Sequence, residues 1–210
     1  MPMSLLRFTG HLVSVLLLVG AGTGFGALAR AADAVVIGGP FVLTAPDGTR
    51  VTDQTYRGKW LLIYFGYTSC PDTCPTTLFD MAATLKALGP DAADLQPLFI
   101  TLDPQRDTPE VMGAYVGSFD PRIIGLTGEP HAIDAAAQAY GAYSARHEPR
   151  PDGRDYLVDH SNAIYLMSPQ GRFVRAFDSD WPSDRMAATL RALMERHRDR
   201  ASDEADVTGR

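Results

Sequence analysis

Cysteine is almost absent from this sequence: Cys70 and Cys74 are the only two in 210 residues. That scarcity excludes the disulfide-dense scaffolds of small secreted proteins. No basic run occurs and the formal charge is −6, so the footprint of a nucleic-acid-binding surface is missing. The acidic balance instead implies a soluble surface that favours a basic partner. Internal repeats and low-complexity tracts are lacking too. Apolar and charged fractions of 45% and 21% are ordinary for a globular protein, which fits neither a disordered chain nor a multi-span membrane protein. This length supports one well-buried domain and not two.

Charge is scarcest near the start. Arg7 is the lone charged residue before Arg30, and the stretch from Leu12 to Ala29 has none. Ala27, Ala29 and Ala31 form two Ala-x-Ala patterns of the kind signal peptidase cuts. The apolar run is only just long enough to cross a bilayer and is diluted by Gly20, Gly22, Gly24 and Gly26. Residues 1–31 therefore read as a cleaved signal peptide, with a retained membrane anchor as the other reading. Both readings put the remaining chain in an exported, oxidising compartment. Residues 1–31 hold two arginines and no acid, so the chain without them carries −8.

Beyond that segment, Phe41–Thr44 and Arg50–Thr52 read as a hairpin around Pro46-Asp47-Gly48. Trp60–Phe65 is a continuous apolar run of strand length, as expected of a strand buried on both faces. A turn-rich segment holding both cysteines follows. Then comes a helix with Leu78, Met81, Ala82, Leu85 and Leu88 on one stripe, ending at Gly89-Pro90. Leu95–Leu102 is a further strand. Asp107 with Glu110 resembles a capping box for a helix through Val111, Met112, Tyr115 and Val116. Ile123–Leu126 is a strand, and Ile133, Ala136, Ala137 and Tyr140 mark a helix. Strands at Tyr156–Val158 and Ala163–Met167 flank His160, and another spans Arg172–Phe177. Ser183 opens a last helix with the stripe Met186, Leu190, Leu193 and Met194. This order implies an α/β domain over residues 32–198, with a mixed central sheet flanked by helices and an N-terminal hairpin, then a loose polar tail at 199–210. A cysteine pair leaving a buried strand and opening a helix is the thioredoxin-like arrangement.

A disulfide between Cys70 and Cys74 would close a small ring. Such a ring contributes roughly 2 kcal/mol, against about 4.7 kcal/mol for a hundred-residue loop. Chemistry is the better use of the pair. Thiolates near a helix N-terminus are stabilised by its dipole and free amides. Three residues intervene rather than the two of the usual redox motif, so the sulfurs can spread around one soft ion such as Cu(I) or Zn(II) and still pair with each other. A third ligand is then needed. His11 lies in the leader, His131 at a helix start, His147 in a polar strand or hairpin, and His197 near the end of the last helix. His160 immediately precedes the Ala163–Met167 strand. In a thioredoxin-like fold that loop lies against the cysteine loop.

The strings Cys70-Pro-Asp-Thr-Cys74-Pro, Leu102-Asp-Pro-Gln-Arg-Asp-Thr-Pro-Glu110 and Tyr156-Leu-Val-Asp-His160 resemble the Sco/SenC family, and the likeness runs over roughly residues 40–198. The resemblance implies a thioredoxin-fold copper-binding factor serving the dinuclear copper (CuA) centre of cytochrome c oxidase subunit II. It implies Cys70, Cys74 and His160 as ligands of one copper ion per chain, Cu(I), Cu(II) or both. The implied partners are that subunit or another copper acceptor and a thiol reductant, and the implied place is the periplasm or the periplasmic face of the inner membrane. Asp103 and Asp107 belong to the family motif without being established ligands. Their plain readings are a strand-end residue and a helix cap, and Asp72 reads as a turn residue.

The resemblance implies a metallochaperone rather than an enzyme. The rival is a thiol–disulfide oxidoreductase with Cys70 and Cys74 as its redox pair. Against it, no proline occurs between Pro151 and Pro169, where thioredoxin-like reductases carry their substrate-docking cis-proline; His160 stands there instead. A peroxidase would need proline at position 63 and threonine at 67, where the chain has Ile63 and Tyr67. For the leader, intact mass of protein from its native compartment is expected to start between Arg30 and Asp33. A full-length mass in washed membranes would show an anchor instead.

Overall fold

The computed structural model describes residues 36–148 and 156–208; the expected signal peptide or anchor, residues 1–31, lies outside them. Strands β1 (Val42–Thr44) and β2 (Arg50–Thr52) pair antiparallel. Their turn is held by Asp47, which accepts from the Thr49 N–H and hydroxyl at 3.0 and 2.7 Å. Then follow β3 (Trp60–Gly66), α1 (Thr73–Leu88) and a 3-10 segment at Gly89–Asp94. The chain continues through β4 (Leu95–Thr101), α2 (Pro109–Gly117), β5 (Ile124–Leu126) and α3 (Pro130–Tyr140). It ends with β6 (Ser144–Arg146), β7 (Val158–His160), β8 (Ala163–Met167), β9 (Phe173–Asp178) and α4 (Ser183–Thr208).

The central sheet has the order β5-β4-β3-β8-β9. β3, β4 and β5 run parallel, while β8 and β9 are antiparallel to their neighbours. β3 occupies the middle, and every one of its seven residues is buried. That is why its sequence is a solid apolar run rather than an alternation. Helix α1 buries Leu78, Met81 and Leu85 and packs with α4; α2 packs on β5. The outcome is the thioredoxin-like arrangement, a mixed sheet flanked by helices. No helix among the described residues is long and apolar enough to cross a membrane.

Three local expectations differ from the structure. Asp107 does not cap α2. Thr108 does, its hydroxyl accepting from the Val111 N–H, with Pro109 in the first turn; Asp107 is instead fully buried. His160 belongs to strand β7, which pairs with β6 in a separate two-stranded sheet. The polar β6 has no apolar alternation by which it could be foreseen. Helix α4 runs on through Thr208. The apolar stripe stops near Met194, but the following residues up to Thr208 include neither glycine nor proline, and propensity alone carries the helix on.

Candidate metal centre

The parallel strands β3 and β4 end side by side, and the chain leaves β3 at Gly66 to enter the cysteine loop. Two features fix that loop. The Cys70 N–H donates to the Tyr67 carbonyl at 3.2 Å, closing a turn. The buried Asp107 carboxylate accepts from the Thr68 N–H at 3.0 Å and from the Thr68 and Thr101 hydroxyls, each at 2.5 Å. Helix α1 then begins with Asp72 in the N-cap position, yet the Asp72 side chain makes no capping bond. The Cys74 N–H donates to the Cys70 sulfur at 3.5 Å instead. The sulfur thus occupies the place of a capping oxygen, where free amides and the helix dipole favour negative charge.

Cys74 sits in the first turn and is fully buried, whereas Cys70 is half-buried. A Cβ at Gly66 would stand 2.6 Å from the Cys74 sulfur and 2.7 Å from the Phe99 ring, so this strand end admits only glycine. The Tyr64 hydroxyl reaches the Cys74 sulfur at 3.8 Å. His160 arrives from the opposite side on β7. Its Nε2 lies 3.4 Å from the Cys74 sulfur, and its Nδ1 lies 3.0 Å from the Ser161 carbonyl. Nδ1–H donating to that carbonyl aims the Nε2 lone pair at the sulfurs when the ring is neutral. The Tyr64 and Tyr67 rings meet the imidazole edge-on, with centroids at 6.1 and 5.9 Å.

Charge is divided unevenly between the thiols. The Cys74 thiol donates to Cys70, and with help from His160 and the Asp72 and Cys74 amides this outweighs burial and lowers the Cys70 pKa to about 3. Cys74, hydrogen-bonded to that thiolate and deeply buried, is pushed up. Tyr64 is pushed up by burial and by Cys74. Burial opposes the charged form of His160, but the bonds to Cys70 and the Ser161 carbonyl and the charges of Cys70 and Asp159 prevail, and its pKa rises. The metal-free site therefore keeps a proton on Cys74 that a bound cation would expel.

The donor atoms of Cys70, Cys74 and His160 all lie within 4.8 Å of one another. Ligands at about 2.0–2.3 Å from one ion stand roughly 3.3–4.5 Å apart. Small side-chain rotations close the difference, so the cluster can hold one ion. Two sulfurs and an imidazole suit a soft or borderline cation and not calcium or magnesium. His131, His147 and His197 are not in this cluster: His131 lies on exposed surface at the start of α3, His147 pairs with Asp159 at 2.8 Å, and His197 meets the Trp60 ring edge-to-face. A cavity of about 430 Å³ lined by Leu61, Tyr140 and Met167 lies toward the opposite end of β3 and includes none of the three donors.

The SCO1/SenC family model matches residues 29–195. The chain belongs to the SCO1/SenC family. It is 41% identical to the human mitochondrial SCO1 homolog over 78% of this chain and 54% of that protein. Among solved structures it is similar to Bradyrhizobium japonicum ScoI with copper bound, at TM-score 0.70 and 46% identity, covering 74% of this chain and 98% of that one. Yeast Sco1 with copper bound gives TM-score 0.71 and 39% identity over 76% and 89% of the respective chains. The chain spans about half the length of the first curated relatives it matches.

Several residues around this donor cluster escaped sequence reasoning. Gly66, Tyr64 and Tyr67 read as ordinary strand and turn residues, and Asp103 and Asp107 as a strand end and a cap. Their position in one motif with Arg106 was the available signal. A consequence of the divided charge is testable. Cys70, with its pKa lowered to about 3, stays a thiolate well below neutrality, while an unperturbed thiol loses about tenfold in thiolate per pH unit. In the reduced, metal-free protein, the alkylation rate of Cys70 by iodoacetamide is expected to stay nearly flat from pH 8 to pH 5, with Cys74 unmodified. A rate that falls tenfold per unit over that range contradicts the charge assignment.

Proposed function

We propose that this protein is a copper-binding metallochaperone of the Sco type, with Cys70 and Cys74 as thiolate ligands and His160 as the imidazole ligand of one copper ion. The observation that carries the reading is the convergence of three soft or borderline donors within 4.8 Å on one end of the sheet. Membership in the SCO1/SenC family and likeness to copper-bound Sco structures support it. Copper is the cargo. Three ligands leave coordination open on the side of the half-buried Cys70, which suits handover better than a closed four-ligand site. The acceptor in this reading is the CuA site of cytochrome c oxidase subunit II, reached at the periplasmic face of the inner membrane.

A second reading rests on the sulfurs being both free and close. The dithiol would give two electrons and two protons to an acceptor's disulfide, leaving a Cys70–Cys74 disulfide here and two thiols there. This is preparation of the acceptor rather than delivery. The two readings part at His160. In a competition titration of reduced protein with a copper chelator, the parent is expected to bind one equivalent and the oxidised protein none. His160→Ala is expected to lose affinity by orders of magnitude, because two sulfurs alone serve Cu(II) poorly. Its thiol–disulfide potential should move much less, since that depends on the two sulfurs, their pKa values and the strain of their ring. His147→Ala is the control and should bind as the parent does. Parent-like copper binding by His160→Ala with a strongly shifted potential would instead make His160 a proton carrier for disulfide exchange.

A further inference from the structure

The segment joining β4 to α2 carries two buried acids, and each grips a different half of the donor set. Asp107 accepts from Thr68, two residues before Cys70. Asp103, also fully buried, faces the other way. It pairs with Arg106, accepts from the Tyr156 hydroxyl at 2.6 Å and is met by the Arg146 guanidinium at 3.3 Å. Arg146 closes β6, and Tyr156 precedes β7, so one carboxylate holds both strands of the pair that carries His160. The Tyr156 ring is clasped by two cations, Arg106 at 3.8 Å and Arg146 at 4.4 Å from its centroid. Arg106 also lies 5.7 Å from the Tyr67 ring, whose hydroxyl accepts from the Val158 N–H at 3.3 Å and whose edge meets His160.

The two acids are themselves joined. The Thr101 hydroxyl accepts from the Asp103 N–H at 2.8 Å and donates to Asp107 at 2.5 Å. The Asp107 N–H in turn donates to the Asp103 carbonyl at 3.0 Å. A single short segment is therefore wired to both the cysteine loop and the histidine strand. Each buried carboxylate is satisfied by several donors, the condition under which burying a charge is tolerable and geometrically specifying.

We propose that Asp103 and Asp107 are separate positioning residues within one bracket: Asp103 sets His160 through Tyr156, Arg146 and Tyr67, and Asp107 sets Cys70 through Thr68. Neither touches the donor atoms. The inference rests on the three-donor reading given above for its copper arm, while its metal-free arms stand without it. Tyr156→Phe deletes one hydrogen bond to Asp103 and keeps the ring between the arginines. Asp107→Asn turns one acceptor toward Thr68 and Thr101 into a donor.

The test uses the reduced full-length protein and three readouts: the His160 ring resonances in the metal-free state, the thiol–disulfide potential at neutral pH, and copper affinity by chelator competition. Tyr156→Phe is expected to shift and broaden the His160 resonances and to weaken copper about tenfold, the loss of one charged hydrogen bond. The potential should move less than it does in Asp107→Asn. Asp107→Asn is expected to move the potential strongly and the His160 resonances less than Tyr156→Phe does. Asp107→Glu, which keeps the acceptors, should restore the potential in part. Should Asp107→Asn fail to fold, Thr68→Val reads the same arm by deleting one donor. Two variants that move the two metal-free readouts in the same proportion, or move neither, overturn the bracket. A parent that binds no copper while these two readouts still separate sinks the copper reading and leaves the bracket standing.

Discussion

The first turn of α1 lies so close to the end of β3 that only a hydrogen atom fits between the Gly66 Cα and its neighbours, the Cys74 sulfur and the Phe99 ring. The rest of the donor cluster depends on that approach. It carries Cys74 into the core and brings the free amides of the helix beneath Cys70. It also leaves Cys74 facing the strand from which His160 arrives. The approach is stiff because β3 is central in the sheet and bonded on both sides. Interiors of this density do not yield to an added methyl group without a cost of about 1–3 kcal/mol.

The electrostatics follow from the same geometry. One sulfur caps a helix and takes the negative charge; the other is buried and keeps its proton. An imidazole completes the group, with its orientation fixed by the Ser161 carbonyl and two tyrosine edges. A soft cation held by these three donors would displace the proton kept on Cys74, so metal affinity and proton release would be one process. The half-buried Cys70 keeps one side of the donor group open.

Much of this was legible in the sequence, and for physical reasons. The solid apolar run at 60–65 could only be a strand covered on both faces, and the stripe from Leu78 to Leu88 only a helix packed on it. Two cysteines in a chain that needs no staple pointed to chemistry. His160 stood out because it immediately precedes the apolar strand Ala163–Met167, where a thioredoxin-like fold brings the chain against the cysteine loop. What stayed hidden was burial of polar groups. Asp103 and Asp107 look like a strand end and a cap, because sequence periodicity reports apolar faces and has no signature for a carboxylate held by donors from distant segments. The β6–β7 pair was hidden likewise: β6 is only Ser144-Ala145-Arg146, and the pair is held by contacts of Arg146 and Tyr156 to Asp103 and of Val158 to Tyr67 rather than by alternation.

The central claim is that one copper ion is held by two sulfurs and one imidazole from Cys70, Cys74 and His160. X-ray absorption at the copper edge, on the reduced protein loaded with one equivalent of Cu(I), tests it most directly. The account predicts a first shell of two sulfur scatterers and one nitrogen, with the imidazole's outer-shell scattering lost in His160→Ala and retained in His147→Ala. A parent shell of nitrogen and oxygen alone, or imidazole scattering that survives in His160→Ala, would contradict it.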